Sequence, residues 1–202
     1  MARDEGVTNI LMCGVGGQGV ILASNIVSIA AMLADFEVKK SEVHGMSQRG
    51  GSVVTHVRFG RSVSSPLISK GRGDVMMAFE KLESLRYIEY MGDHGVAITN
   101  SREMIPTTVS SGPFDYPENI IEALERHMPV IYVDGPTIAR EEVGNARTAN
   151  TVLVGALATR LDIDDETWKA AVNRSVPPGT EKANMMAFEA GRRVAMEIEV
   201  DK

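Results

Sequence analysis

Cysteine is almost missing from this chain, with Cys13 the single thiol in 202 residues. One thiol closes no internal disulfide and cannot furnish the four thiolates of an ordinary iron-sulfur cluster, so any such cluster belongs to another chain. A basic excess is lacking too. The 21 Lys and Arg face 27 Asp and Glu, for a net charge of -6 and a pI near 5.3. The cations are scattered rather than gathered in a stripe, which excludes nucleic acid as the expected partner. No apolar stretch approaches ~20 residues free of charge or glycine. Met1-Ala2-Arg3-Asp4-Glu5-Gly6 carries acids where a secretory leader has its apolar core. The expectation is a cytoplasmic protein with no membrane segment. Internal repeats and low-complexity segments are absent as well. Apolar residues, by contrast, are plentiful at 44%, enough for a sizeable core in a single domain over 1–202 whose part from about 150 to 202 is helical.

Short apolar runs alternate with helical periodicity along most of the chain. Asn9 to Cys13 reads as a buried strand and Val20 to Leu33 as a buried helix. Val38 to Val43 and the β-branched run Ser52 to Phe59 read as strands, as do Asp74 to Phe79, Gly95 to Asn100 and Val130 to Asp134. Helices are expected from Glu80 to Tyr90 and from Glu118 to Arg126. Three more follow in the last quarter, Asn150 to Leu161, Asp164 to Asn173 and Glu181 to Ile198, set off by Pro177-Pro178-Gly179. This order predicts an α/β fold, a Rossmann-like three-layer sandwich with a largely parallel sheet and extra C-terminal helices covering one face or edge.

Gly14-Val15-Gly16-Gly17-Gln18-Gly19 fits the glycine pattern of a dinucleotide site, in the required place between a strand and a helix. Glycines let the chain turn tightly and bring backbone amides and the helix N-terminus against a pyrophosphate. Such a site also asks for an acid about 20 residues on. Glu42 is the candidate, ahead of Asp35 and Glu37. A free-standing NAD(P)- or flavin-binding protein is therefore one reading. The other is that these glycines only let a helix pack closely on a strand.

A second loop is denser in chemistry. In Glu42-Val43-His44-Gly45-Met46-Ser47-Gln48-Arg49-Gly50-Gly51-Ser52, the glycines at 45, 50 and 51 permit close backbone approach while Glu, His, Gln and Arg supply donors and acceptors. Arg49 can grip a phosphate or carboxylate with two prongs, with amides around Gly50 and Gly51 forming a nest and Gln48 orienting the same anion. His44 is a candidate proton carrier near neutral pH, against the plainer role of a hydrogen-bonded loop residue. Cys13, at the end of a buried strand, reads as a small apolar filler.

Together, Asn9 to Val20 and the loop from Glu42 to Val53 resemble the gamma-type domain of 2-oxoacid:ferredoxin oxidoreductases, and within that family the two-subunit indolepyruvate type. His56-Val57-Arg58, Ser65-Pro66-Leu67-Ile68, Gly73-Asp74 and Ala78-Phe79-Glu80, with Glu83, Leu85 and Arg86, extend the likeness. So do Asn150, Gly155-Ala156-Leu157, Trp168, Glu181, Asn184, Ala187-Phe188 and Gly191. The resemblance implies the small beta subunit of an oxidoreductase that decarboxylates an aryl pyruvate. A large alpha subunit would carry thiamine diphosphate, Mg and 4Fe-4S clusters, coenzyme A would take the acyl group, and ferredoxin the electrons. This chain lacks the thiamine motif: Val133-Asp134-Gly135 misses its first glycine. No cofactor is expected to be held firmly by this chain alone, no metal site is expected, and no residue is assigned to catalysis beyond His44 as a candidate. The anion that the loop and glycine turn would meet is a phosphate of coenzyme A, the substrate carboxylate or an acidic loop of the large subunit.

Overall fold

A computed structural model describes residues 6–44, 50–105, 112 and 115–198 of the chain. Among them the strands are β1 (Val7–Val15), β2 (Glu37–His44), β3 (Ser52–Gly60), β4 (Gly73–Ala78), β5 (Met91–Asn100) and β6 (Val130–Val133). They form one sheet in the order β2-β3-β1-β4-β5-β6. β4, β5 and β6 continue parallel from β1, whereas β3 runs antiparallel to both β1 and β2. Only seven residues separate the end of β2 from the start of β3, and so short a link joins only antiparallel neighbours. The sheet is thus largely parallel, with one reversed strand beside its centre.

Both faces of β1 and β4 are covered, so Ile10 to Cys13 and Val75 to Ala78 run apolar without a polar alternate. Ile10 and Met12 of β1, with Val75 and Met77 of β4, face the larger core beneath α1 (Val20–Leu33). Leu11 and Cys13, with Met76 and Ala78, face the smaller core on the other side, near α2 (Lys81–Arg86) and Met128, just past α3 (Ile120–Glu125). On the larger face α1 is joined by α4 (Gly135–Glu141), α5 (Ala149–Ala158), α6 (Asp165–Ser175) and α7 (Glu181–Glu197). The last three confirm the expected helical cover of one face. Trp168 of α6 and Phe188 of α7 are fully buried with ring centroids 5.9 Å apart. Each such ring contributes about 3 kcal/mol of burial.

Two local outcomes differ from the sequence reading. The helix expected over 80–90 breaks at Tyr87, leaving α2 followed by a 3₁₀ turn at Ile88–Tyr90. The apolar spacing of Leu82, Leu85 and Ile88 runs on through the break and gives no sign of it. α4 was not anticipated, although its signals stand in the chain: the Asp134 carboxylate accepts the Thr137 N–H, and Pro136 lies in the first turn.

Candidate functional site

The carboxyl ends of β1, β4, β5 and β6 lie on one sheet edge. β3 enters at that same edge because it runs the other way, and Ser52 stands opposite Val15. Chain order departs from β1 in both directions here, the switch point where open α/β sheets place their sites.

The glycine turn and the second loop meet across this edge. Gly16 N–H donates to the Gly51 carbonyl at 2.9 Å, and Gly50 N–H donates to the Gly16 carbonyl at 3.4 Å. Gly17 and Gly19 adopt left-handed φ of 97° and 86°, which side chains resist. Gly14 is needed for space, since a Cβ there would stand 2.7 Å from Gln18 Oε1 and 2.9 Å from the Phe79 Cβ.

The turn's inner surface is filled by the chain itself. Gln18 Oε1 accepts the Val15 N–H at 2.8 Å, while its Nε2 donates to the Met104 sulfur at 3.3 Å. Asn150 packs its amide against Gly19, where a Cβ would lie 2.5 Å from Nδ2. Asn150 Oδ1 accepts the Thr151 N–H, and Thr151 Oγ1 donates to Asn184 Oδ1 at 2.7 Å. Asn184 Nδ2 in turn donates to the Thr180 carbonyl. Both asparagines thus satisfy backbone groups, at the starts of α5 and α7 respectively, and Asn150 does so beside the start of α1.

Glu42 does not stand where a ribose-binding acid stands. It faces Thr55 across the β2–β3 pair, and β3 separates it from β1. Two strand spacings put its backbone about 10 Å from β1, twice the distance of the adjacent-strand arrangement. Its carboxylate pairs with Lys40 at 2.6 Å, and Lys40 also donates to Asn25 Oδ1 of α1. His44 closes β2 opposite Val53. Its side chain and the residues Gly45, Gln48 and Arg49 lie outside the described residues.

Behind the turn sit two buried carboxylates. Glu80, 1% exposed, caps α2 by accepting the Glu83 N–H at 2.9 Å. It also accepts the Met104 N–H at 3.1 Å and the Tyr116 hydroxyl at 2.6 Å. Glu83, 5% exposed, accepts the Ser52 hydroxyl and the Arg86 Nε–H, the latter at 3.0 Å. Ser52 Oγ lies 3.1 Å from the Tyr87 hydroxyl as well. Burial and then the Glu80 hydrogen bond push the Tyr116 phenol well above its ordinary pKa, so it serves as a donor. Burial, followed by the charges of Glu83 and Glu80, raises Cys13 likewise. Its thiol donates to the Glu83 carbonyl at 3.6 Å. A neutral, enclosed thiol is neither a nucleophile nor a cluster ligand.

Glu80 and Glu83 belong to the family-like segments, but their burial was not legible from sequence. The signal available was an acid three residues ahead of another at a helix start, the spacing of a capping arrangement. Met104, Tyr87 and Tyr116 carried no signal. Other family-like segments turn out to be struts. Arg58 Nε donates to Asn9 Oδ1 at 2.7 Å and its Nη1 to the Ser65 carbonyl, while Asp74 accepts the Asn9 N–H. These residues line a cleft of about 900 Å³ at the opposite, amino-terminal edge. No group of three or more His, Cys, Asp and Glu suited to a metal occurs among the described residues.

Residues 9–194 match the pyruvate ferredoxin/flavodoxin oxidoreductase family. The chain belongs to that family. The indolepyruvate oxidoreductase subunit IorB of Thermococcus kodakarensis is 40% identical to it over 196 residues, covering 94% of this chain and 96% of that protein. The IorB of Archaeoglobus fulgidus is 45% identical over 152 residues, 74% of this chain and 75% of that one. A crystal structure of the gamma subunit of a keto/oxoacid ferredoxin oxidoreductase from Geobacter sulfurreducens superposes with a TM-score of 0.71 at 25% identity, over 95% of this chain and 99% of that one. The α/β fold and the gamma-subunit resemblance read from sequence are both borne out.

Proposed function

We propose that the chain is the small subunit of an indolepyruvate-type 2-oxoacid:ferredoxin oxidoreductase and that its carboxyl edge completes a site on a large partner subunit. The observation that carries this reading is the pair of hydrogen bonds joining Gly16 to Gly50 and Gly51. They merge the two glycine-rich segments into a single backbone surface. Its inner amide is already taken by Gln18, which disfavours a pyrophosphate lying along the turn and favours a partner group set on its rim. Identities of 40% and 45% to indolepyruvate subunits support aryl pyruvates as substrates.

In this reading the 4Fe-4S clusters belong to the large subunit because one enclosed thiol cannot ligate them, and thiamine diphosphate and Mg belong there because this chain lacks the thiamine motif. Those groups provide the decarboxylation and electron transfer when bound. This chain contributes shape and backbone donors, and the side chains of Gln48 and Arg49. A phosphate of coenzyme A, the substrate carboxylate or an acidic segment of the large subunit would meet that rim. Ferredoxin engages the complex. The setting is cytoplasmic, in keeping with described helices that are none of them long and apolar enough to cross a membrane.

The test is reconstitution. Alone, the purified chain is colourless and reduces no viologen dye with indolepyruvate and coenzyme A. With the large subunit it restores dye reduction, faster with indolepyruvate than with pyruvate or 2-oxoglutarate. Micromolar binding of NAD, NADP or FAD to the isolated chain by calorimetry would instead favour the free-standing dinucleotide protein.

A further inference from the structure

Val15 and Gly16 present successive amides at the centre of the carboxyl edge, and each is held by a different chain of contacts. Gly16 N–H is fixed by the Gly51 carbonyl. Gly51 is followed by Ser52, whose hydroxyl donates to Glu83. Val15 N–H is fixed by Gln18 Oε1, whose other end donates to the Met104 sulfur. The Met104 N–H donates to Glu80. The two relays therefore start from two carboxylates three residues apart, Glu80 capping α2 and Glu83 within it, and end on neighbouring amides of the turn.

We propose that Glu80 and Glu83 are positioning residues for the glycine turn, each setting one of its two central amides through its own relay. Burying a carboxylate costs several kcal/mol unless hydrogen bonds compensate it. Both are compensated here, and their partners lie on segments flanking the turn. Glu83 gathers Ser52 from β3 and Arg86 from its own helix. Glu80 gathers Met104 and Tyr116 from beyond β5. An apolar pair would fill the same space without the desolvation cost, but it would hold neither segment at a fixed register. The consequence for activity rests on the reading that this edge meets the large subunit.

Amide hydrogen exchange on the isolated, full-length chain reads the two relays separately. In Ser52→Ala and Glu83→Gln, exchange at Gly16 and Gly50 should quicken about tenfold, the scale of one hydrogen bond lost, with Val15 changed far less. Glu80→Gln and Gln18→Ala should show the reverse pattern. In the complex, titrating Ser52→Ala against a fixed amount of large subunit should raise its half-saturating concentration about tenfold, with the rate at saturation within about twofold of the wild type. A merely stabilising role would lower the melting temperature and leave that split unmoved. The proposal is overturned if Gly16 exchange is unchanged in both Ser52→Ala and Glu83→Gln, if Val15 and Gly16 loosen together in all four variants, or if half-saturation stays at the wild-type value. Failure of the wild-type pair to reduce dye would strike the functional reading alone, because the exchange pattern needs no partner.

Discussion

At the scale of single residues, His56 reports on how burial controls chemistry away from the turn. It lies inside β3 at 4% exposure, its Nδ1 accepts the Ile68 N–H at 3.2 Å, and Tyr90 packs edge-on against its ring. Burial holds its pKa below the ordinary histidine value. Between the unfolded value near ~6.5 and that depressed value, the unfolded chain binds the extra proton. Stability is therefore complete above the window and falls as pH drops through it. The melting temperature of the wild type should decline more from about pH 7.5 to about pH 5.5 than that of His56→Asn, whose side-chain oxygen can replace Nδ1 as acceptor. Equal slopes in the two proteins would remove His56 as the source. The glycines, the single thiol and the strut-like Arg58 were all visible as residues, but their partners were not. Arg58 meets Asn9 across 49 positions of chain, and no local pattern records such a distance.

At the scale of elements, the closest packing is between α5 and α7. A Cβ on Gly155 would stand 2.0 Å from the Phe188 carbonyl oxygen, and one on Gly191 would stand 1.9 Å from that of Val152. Alanine ordinarily stabilises a helix over glycine by about 1 kcal/mol. Here the sign should reverse. Gly191→Ala should lose about 3 kcal/mol, read as a lower urea midpoint at constant m-value, because two helix backbones must separate. Strand and helix existence was largely legible, since buried runs and 3.6-residue spacing are local. The break of α2 at Tyr87 was not, and neither was the reversal of β3, although the short spacing between the β2 and β3 runs was its available clue. That reversal is what brings Ser52 to Val15 and the second loop to the glycine turn. The site was thus readable as two motifs and unreadable as one place.

At the scale of the whole molecule, the prediction concerns assembly. Arg49→Ala should bind the large subunit roughly tenfold more weakly, the usual range for losing a paired charge at an interface, while complexes that still form keep their turnover. Native mass spectrometry against dye reduction separates the two quantities. A selective fall in turnover with unchanged assembly would move Arg49 from docking to the reacting site.

The C-terminal helices also govern how the chain comes into being. Ile10, Met12, Val75 and Met77 share one core with α5, α6 and α7, so during synthesis the central strands emerge long before the residues that shield them. A nascent chain ended at Thr148 has only α1 and α4 to cover this apolar sheet face, which leaves part of it as a surface that sticks to itself or to a chaperone. Such a fragment should pellet when expressed alone, and a separately expressed 149–198 segment should draw part of it back into solution. These helices, which follow all six described strands in the chain, are in that sense the step that commits the sheet to its fold.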